Sequence, residues 1–329
     1  MLDPLPPARA RVPPALHGER LDRAASELLR LPVSRSRLSQ WIRDGRLRVD
    51  GAVVVKPGTA VESGQELLLE PPELEPMGPA QAPAVLYEDE WLAILDKPAG
   101  LPMHGTAAGD PRPSVARFLH ERYGPRLPIN QGALRPGIVH RLDSETSGVC
   151  VVALEQTAFT NLQEQFAKRT VEKEYAAVVY GRPRFQSDWI DRPIARDPHH
   201  PERMRTVRAL AEGVREALTF WEVVQRFRNC AHLRVQPRTG RTHQIRVHLA
   251  AVDLPLVGDW LYRARNYGPG LLPPGAPPVE RPLLHSSALR FEHPALGQEM
   301  RFQVGMPQDM AELLAFLGAH APAEDQGWK

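Results

Sequence analysis

Hydrophobic positions near the start of the chain recur with a helical period. Leu21, Ala24, Ala25, Leu28 and Leu29 take the i, i+3, i+4, i+7 and i+8 places of one face, and Pro32 closes the segment. Ser34 is placed to cap a second helix with Leu38, Trp41 and Ile42 on its inner face and Gly45 beyond its end. The period then falls to two. Arg46-Leu47-Arg48-Val49 and Ala52-Val53-Val54-Val55 flank Asp50-Gly51, a hairpin signal, and Val61 to Leu69 adds another strand. From Val85 onward short apolar runs dominate: Trp91 to Leu95, Ile138 to Val139, Val149 to Leu154, Tyr175 to Tyr180 and Leu233 to Gln236. Helical stretches lie between them, at Phe159 to Lys168 and Thr242 to Val252, and a last helix carries Met310, Leu313, Leu314 and Leu317 up to Gly318. Strands and helices mix without regular βαβ alternation. The pattern predicts an α+β fold with a mixed, largely antiparallel sheet, preceded by a small N-terminal α/β module.

Residues 71 to 83 hold five prolines in thirteen positions, which reads as a semi-rigid linker. The expected organisation is an unstructured tail over 1–15, a module over 16–70, a linker over 71–84, a larger domain over 85–318 and a tail over 319–329. The chain of 329 residues is 42% apolar, enough for a sizeable core. Net charge is only +2, but five lysines stand against 36 arginines. Arginine binds phosphate bidentately and stacks on bases. A GC-rich genome gives the same bias, and the 34 prolines point that way too. Only Cys150 and Cys230 are present, which favours a reducing compartment over a disulfide framework. Met1 to Pro7 lacks a basic segment followed by an apolar core, and no run of about 20 apolar residues occurs. A soluble, cytoplasmic protein is expected.

The most informative stretch runs from Gly137 to Val152, where two β-branched runs flank His140-Arg141-Leu142-Asp143-Ser144-Glu145-Thr146-Ser147. It reads as strand, exposed loop, strand, an arrangement in which catalytic side chains are commonly held. Asp143 stands beside a guanidinium, with neither a glycine-rich phosphate cradle nor a second acid of matching placement. That points to a lone acidic nucleophile working on a polyanionic substrate. An aspartate in a polar loop otherwise caps a turn.

His140-Arg141-Leu142-Asp143, followed by Thr146-Ser147-Gly148, resembles the signature of the RluA/RluD family of pseudouridine synthases at every fixed position. Three further blocks are similar to that family's and stand in its order: Leu95-Asp96-Lys97-Pro98-Ala99-Gly100-Leu101, Arg238 to His248, and Leu284-His285-Ser286-Ser287. The resemblance covers roughly residues 85 to 305. It implies that Asp143 is the nucleophile, toward either the ribose or the pyrimidine ring. It also implies that Arg141 enters the space vacated by a flipped nucleotide and binds phosphate, and that Tyr175 stacks on the base and takes part in proton removal. Arg246 matches a basic residue that pairs with the aspartate and should favour its ionised form. Leu284 matches an apolar position against the base, although a strand leucine equally belongs to a core. Thr242 is placed to cap the helix that carries Arg246, with exposed amides at its start suited to an anion. Isomerising uridine loses no electrons overall, so no cofactor is expected.

His104, His140, His243, His248 and His285 recur in these blocks without metal-ligand spacing, so no metal is expected, and His140 is assigned to orienting a loop or touching phosphate. Gly105 stands where the family commonly has proline, which leaves the shape of that loop open. The first module resembles the small S-four-like RNA-binding domain, with Arg35, Arg37 and Arg43 available outside. The expected partner is structured RNA, large-subunit ribosomal RNA before transfer RNA, with no DNA and no membrane, and with the chain acting as a monomer. Two rivals use the same features. A catalytically silent ribosome-assembly factor would bind RNA without reaction, and a nucleoside hydrolase would release free uracil and need a second carboxyl group.

Overall fold

The computed structural model describes residues 7–29, 35–70, 82–105, 112–124, 127–128, 135–263 and 266–320; the side chains of Ser36 and Arg37 lie outside that description. The expectations for Pro32, for the Ser34 cap, for an Arg37 contact and for most of the proline-rich linker and terminal tails therefore fall outside it. Two compact units divide the chain, Met1–Ala82 with Met103–Gly137, and Pro83–Pro102 with Ile138–Lys329. This grouping differs from the contiguous 85–318 domain expected from the sequence, since Met103–Gly137 clusters with the N-terminal residues.

In the first unit, α1 (Leu21–Leu29) and α2 (Arg35–Arg43) pack beside a four-stranded antiparallel sheet. Its strands are β1 (Ala8–Arg11), β2 (Leu47–Val49), β3 (Ala52–Val53) and β4 (Glu66–Leu69), in the order β1-β4-β2-β3. The apolar residues expected inside, Leu21, Ala24, Ala25, Leu29, Leu38, Trp41 and Ile42, form one core with Leu47, Leu67 and Leu69. Asp50 and Gly51 both take positive φ, 48° and 81°, as a two-residue hairpin turn requires. The expected tail is corrected at β1: Ala8–Arg11 pairs with all four residues of β4. Alternating alanine and arginine carry almost no hydrophobic signal, yet Ala8 and Ala10 are small enough to lie against the core. A further helix, α3 (Val115–Tyr123), starts at Ser114, whose side chain accepts from Arg117 N.

Arg35 is also corrected. Its Nη2 lies 3.1 Å from Oδ1 of Asp22, a carboxylate that is only 5% exposed. Arg20 grips the same group through Nε at 3.1 Å and Nη2 at 3.0 Å, and Ser39 Oγ donates to it at 3.3 Å. The acid thus ties α1 to α2, and Arg35 is committed to that joint rather than free for phosphate. Arg43 is exposed, with Nη1 donating to Gln40 Oε1 at 2.9 Å.

The second unit holds β5 (Ala84–Glu88), β6 (Leu92–Lys97), β7 (Ser147–Ala153), α4 (Gln156–Lys168), β8 (Glu172–Tyr180), β9 (Ser187–Asp191), β10 (Ile194–Arg196) and β11 (Met204–Thr206). It continues with β12 (Leu218–Arg226), β13 (Cys230–Pro237), α5 (Gln244–Ala250), β14 (Leu284–Glu292), β15 (Glu299–Gln303) and α6 (Gln308–Ala319). Nine strands form one sheet in the order β5-β6-β7-β14-β8-β13-β12-β9, with β15 on β14; β10 and β11 pair separately. Every pairing is antiparallel except β7 with β14. The α+β architecture expected from the sequence is the one observed. One core lies between β6, β7, β14 and α4, and another between β8 and α6. Among the described residues no helix is long and apolar enough to cross a membrane.

The Asp22 joint sets a pH dependence. Hydrogen bonding from Arg20 is the main reason its pKa is held down, at about 2. A carboxylate lowered in this way stabilises the fold above its unfolded value near 3.8, and the stabilisation is lost as pH falls through about 2. Urea midpoints of the transition that reports the first unit should fall between pH 4 and pH 2, and Asp22→Asn should flatten that fall. Arg35→Ala should lower the midpoint at neutral pH.

Candidate active site

The site forms where the large sheet splays. β14 runs parallel to β7 only at His285 opposite Ser147 and Ser286 opposite Gly148, then leaves to pair with β15 from Ala288 onward. Gly148 has φ 111°, and a Cβ there would collide with the Ser286 carbonyl. Two side chains take over where the ladder ends. Ser286 Oγ donates to Val149 O at 3.0 Å, and His140 Nε2 accepts from Val151 N at 3.0 Å. Ile138–Val139, expected as a strand, makes only the single bridge Ile138 to Val152, because the imidazole supplies the acceptor a strand would have offered. His140 also stacks on Phe166 at 4.7 Å, and burial pushes its pKa down to about 3, as an acceptor nitrogen requires. The expected RNA contact by His140 is therefore corrected: of its two assignments, the geometry supports orienting the loop.

The loop so anchored carries Asp143. Its carbonyl accepts from Thr146 N at 3.1 Å, closing a turn directly ahead of β7. Lys97, fully buried at the end of β6, donates to Ser144 O at 2.8 Å, Leu101 O at 2.7 Å and Pro98 O at 2.9 Å. Burial pushes its pKa down to about 8, which still leaves three ammonium donors at neutral pH for three carbonyls. One side chain thus binds the Lys97–Leu101 loop to the Asp143 turn.

Arg246 reaches Asp143 from α5. Nη1 lies 3.7 Å from Asp143 Oδ2, close enough for an ion pair and too long for a hydrogen bond. Its strong partner is different. Nε and Nη2 grip Oδ2 and Oδ1 of Asp259 at 2.7 and 2.9 Å, and Asp259 is wholly buried. Asp259 Oδ1 also accepts from Leu261 N at 3.0 Å and Tyr262 N at 3.2 Å. The guanidinium lies over the Tyr262 ring at 5.1 Å from its centroid, and Tyr262 OH meets His243 Nδ1 at 2.8 Å. Burial opposes the charge on Arg246, but the Asp259 bonds and both carboxylates outweigh it and raise its pKa. Asp143 itself is 16% exposed, so the carboxylate is largely withdrawn from solvent.

The motif around Arg246 is mostly scaffold. Thr239 Oγ1 donates to Gln244 Oε1 at 2.7 Å, Gln244 Nε2 donates to Thr219 Oγ1 at 3.0 Å, and His248 meets Thr219 Oγ1 at 2.9 Å. Thr242 does not cap α5, contrary to expectation. The cap is His243, in the left-handed region at φ 55°, and no side chain caps the helix. The amide of Arg241 is instead taken by Gln244 Oε1 at 3.0 Å, and the helix of seven residues is too short to offer an anion site.

Tyr175 lies on β8 opposite Ser286 of β14 and Val235 of β13. Burial first, and the Asp143 carboxylate second, push the phenol's pKa well up. The group therefore stays protonated at neutral pH. Leu284 is buried on β14 opposite Ala177, two residues from Ser286. Arg141 is exposed, two residues before Asp143. Asp143, Arg246 and Tyr175 are thus brought together by three elements far apart in sequence.

Comparison with known proteins bears on this arrangement. A family model described as RNA pseudouridylate synthase matches residues 92–251, and an S4 domain model matches residues 19–67. The chain is 39% identical over 320 residues to a Pseudomonas aeruginosa protein named Ribosomal large subunit pseudouridine synthase D, covering 94% of this chain and 95% of that one. The chain belongs to the RNA pseudouridylate synthase family. A protein of the same name from Escherichia coli K12 is 37% identical, covering 92% of this chain and 91% of its own. Among solved structures, Human RNA Pseudouridylate Synthase Domain Containing 4 superposes with a TM-score of 0.54 at 28% identity, over 71% of this chain and 92% of that one. The chain is an RNA pseudouridine synthase with an S4 domain ahead of its catalytic fold.

Sequence reading missed Asp259, Tyr262 and the clamp role of Lys97. Lys97 stood in a quoted block, and its position beside Pro98 and Gly100 was the available signal. Asp259 had none, being a single acid in a turn. Replacing Asp259 with alanine leaves a buried guanidinium without its partner, and should cost about 3–5 kcal/mol of stability. Urea unfolding measures that loss. Tritium release from RNA labelled at uridine carbon-5 should fall by more than tenfold in the same variant, because Arg246 is no longer held toward Asp143.

Proposed function

We propose that this synthase isomerises uridines of large-subunit ribosomal RNA, with Asp143 as the nucleophile. The observation that carries the reading is the mostly buried Asp143 carboxylate 3.7 Å from an arginine that Asp259 holds in place. The names of the relatives support ribosomal RNA as the substrate. The S4 domain adds a second grip on the same RNA, with Arg43 in reach of phosphate. The enzyme works as a monomer in the cytoplasm.

The chemistry follows from the groups present. Arg141, exposed at the mouth of the loop, takes the place of the everted nucleotide and binds backbone phosphate. Eversion costs a few kcal/mol, supplied by such contacts. Asp143 attacks the ribose or the pyrimidine ring, the N-glycosidic bond breaks, and uracil turns within the site. Carbon-5 then joins the ribose, its proton leaves, and N1 gains one, so atoms balance without a redox step. Exclusion of water lets the enzyme recapture uracil where a hydrolase would lose it. The Arg246 guanidinium balances charge on the carboxylate as it forms and breaks its bond. Tyr175 packs against the base as a neutral phenol, and Leu284 closes the apolar side.

One assay separates this reading from its rivals. RNA tritiated at uridine carbon-5 should lose tritium to the wild type without free uracil, and Asp143→Asn should abolish release. RNA binding without release would favour an assembly factor, and free uracil would favour a hydrolase. A faster reaction on transfer RNA would move the substrate assignment. Because the Tyr175 phenol is shifted upward, the rate should show no alkaline rise between pH 7 and 9. A rise lost in Tyr175→Phe would show phenolate acting as a base.

A further inference from the structure

A cleft of about 580 Å³ opens beside the turn that carries Asp259. This size lies within the range of small-molecule sites. Its lining includes Trp260, Arg263, Pro273, Pro274, Val279 and Glu280. Asp259 and Trp260 are neighbours with opposite fates. The acid is fully buried on Arg246, whereas the indole is 71% exposed. So large an apolar ring is a costly thing to leave in water unless something covers it.

The walls are fixed before any ligand arrives. Gly258 has φ 81°, and a Cβ there would strike the backbone carbonyl of Arg281, which locks the turn against the opposite wall. Arg281 is itself held by Asp309 at 2.6 and 2.9 Å, and donates to Leu284 O at 3.2 Å and Glu145 O at 3.0 Å. The cleft is therefore continuous, through Asp259 on one side and Glu145 on the other, with the segments that carry Arg246 and Asp143. Arg263 is exposed and donates to Tyr267 O at 3.4 Å; among the described residues it has no carboxylate partner.

We propose that this cleft takes an unpaired nucleobase of the substrate RNA, outside the reacting nucleotide, stacked on Trp260 with its backbone phosphate on Arg263. The assignment deepens the ribosomal RNA reading above and rests on it. An exposed indole offers a π face on which any base stacks, and an arginine beside it adds charge for the backbone. The prolines lack N–H groups, so that wall suits a flat apolar face better than an anion. Glu280 adds an acceptor for the donors on a base edge.

The test is single-turnover tritium release from a uridine-labelled ribosomal RNA transcript, read against protein concentration and salt. Trp260→Ala should raise the half-saturating concentration about tenfold, with the loss falling there rather than on the saturating rate. Trp260→Tyr, which keeps an aromatic face, should recover most of the affinity. Arg263→Gln should reduce the slope of log affinity against log salt by about one. An active wild type with unchanged affinity in Trp260→Ala overturns this inference alone. A lower saturating rate at unchanged affinity also overturns it, since Trp260 would then act only by supporting Asp259. A wild type that releases no tritium overturns the parent reading and this one together.

Discussion

A guanidinium buried beside the reacting acid has to be paid for by a second carboxylate, and here that group is Asp259. The bidentate grip leaves one nitrogen of Arg246 facing Asp143 at 3.7 Å, without a hydrogen bond between them. An arginine bound bidentately to the nucleophile itself would quench it. Held by Asp259, Arg246 supplies positive charge close to Asp143 and leaves the carboxylate oxygens uncommitted to it. The Tyr262 ring beneath the guanidinium, and the polar network of Thr239, Gln244, Thr219 and His248 around α5, fix its direction.

The position of Asp143 depends on a second constraint. The sheet opens between β7 and β14, and an open ladder strands backbone groups in the interior. Ser286 and His140 satisfy Val149 O and Val151 N with side chains in place of a neighbouring strand. That frees the residues from His140 to Thr146 from pairing, so they can form the turn that carries the acid. Lys97 then ties this turn to the end of β6 through three carbonyls. A loop held at both ends by buried polar groups keeps its carboxylate in one place at little entropic cost during reaction.

Much of this was legible beforehand where it rested on local patterning. Helical spacing found the inner faces of α1, α2 and α6, and Asp50-Gly51 found the hairpin, because periodicity and turn chemistry act over a few residues. The four motif blocks brought Asp143, Tyr175 and Arg246 together on paper. Local signals failed where a residue's partner is remote. β1 was read as a tail because its pairing with β4 lies across the module. Arg35 was read as an RNA contact because Asp22, thirteen residues earlier, could not be seen to claim it. His140 and Thr242 were assigned by type, and both were overruled by which backbone groups needed partners.

By itself, then, the chain determined the fold class, the module at its head and the acid on which the chemistry turns, since these follow from short-range pattern and motif order. Only the tertiary structure decided which charges meet. Asp259 on Arg246, Lys97 on the Asp143 turn and Trp260 facing outward from the same bend are set by burial, and burial is a property of the folded whole. A buried charge must find an opposite charge or a ring of carbonyls wherever the packing places one, and sequence distance does not enter that requirement.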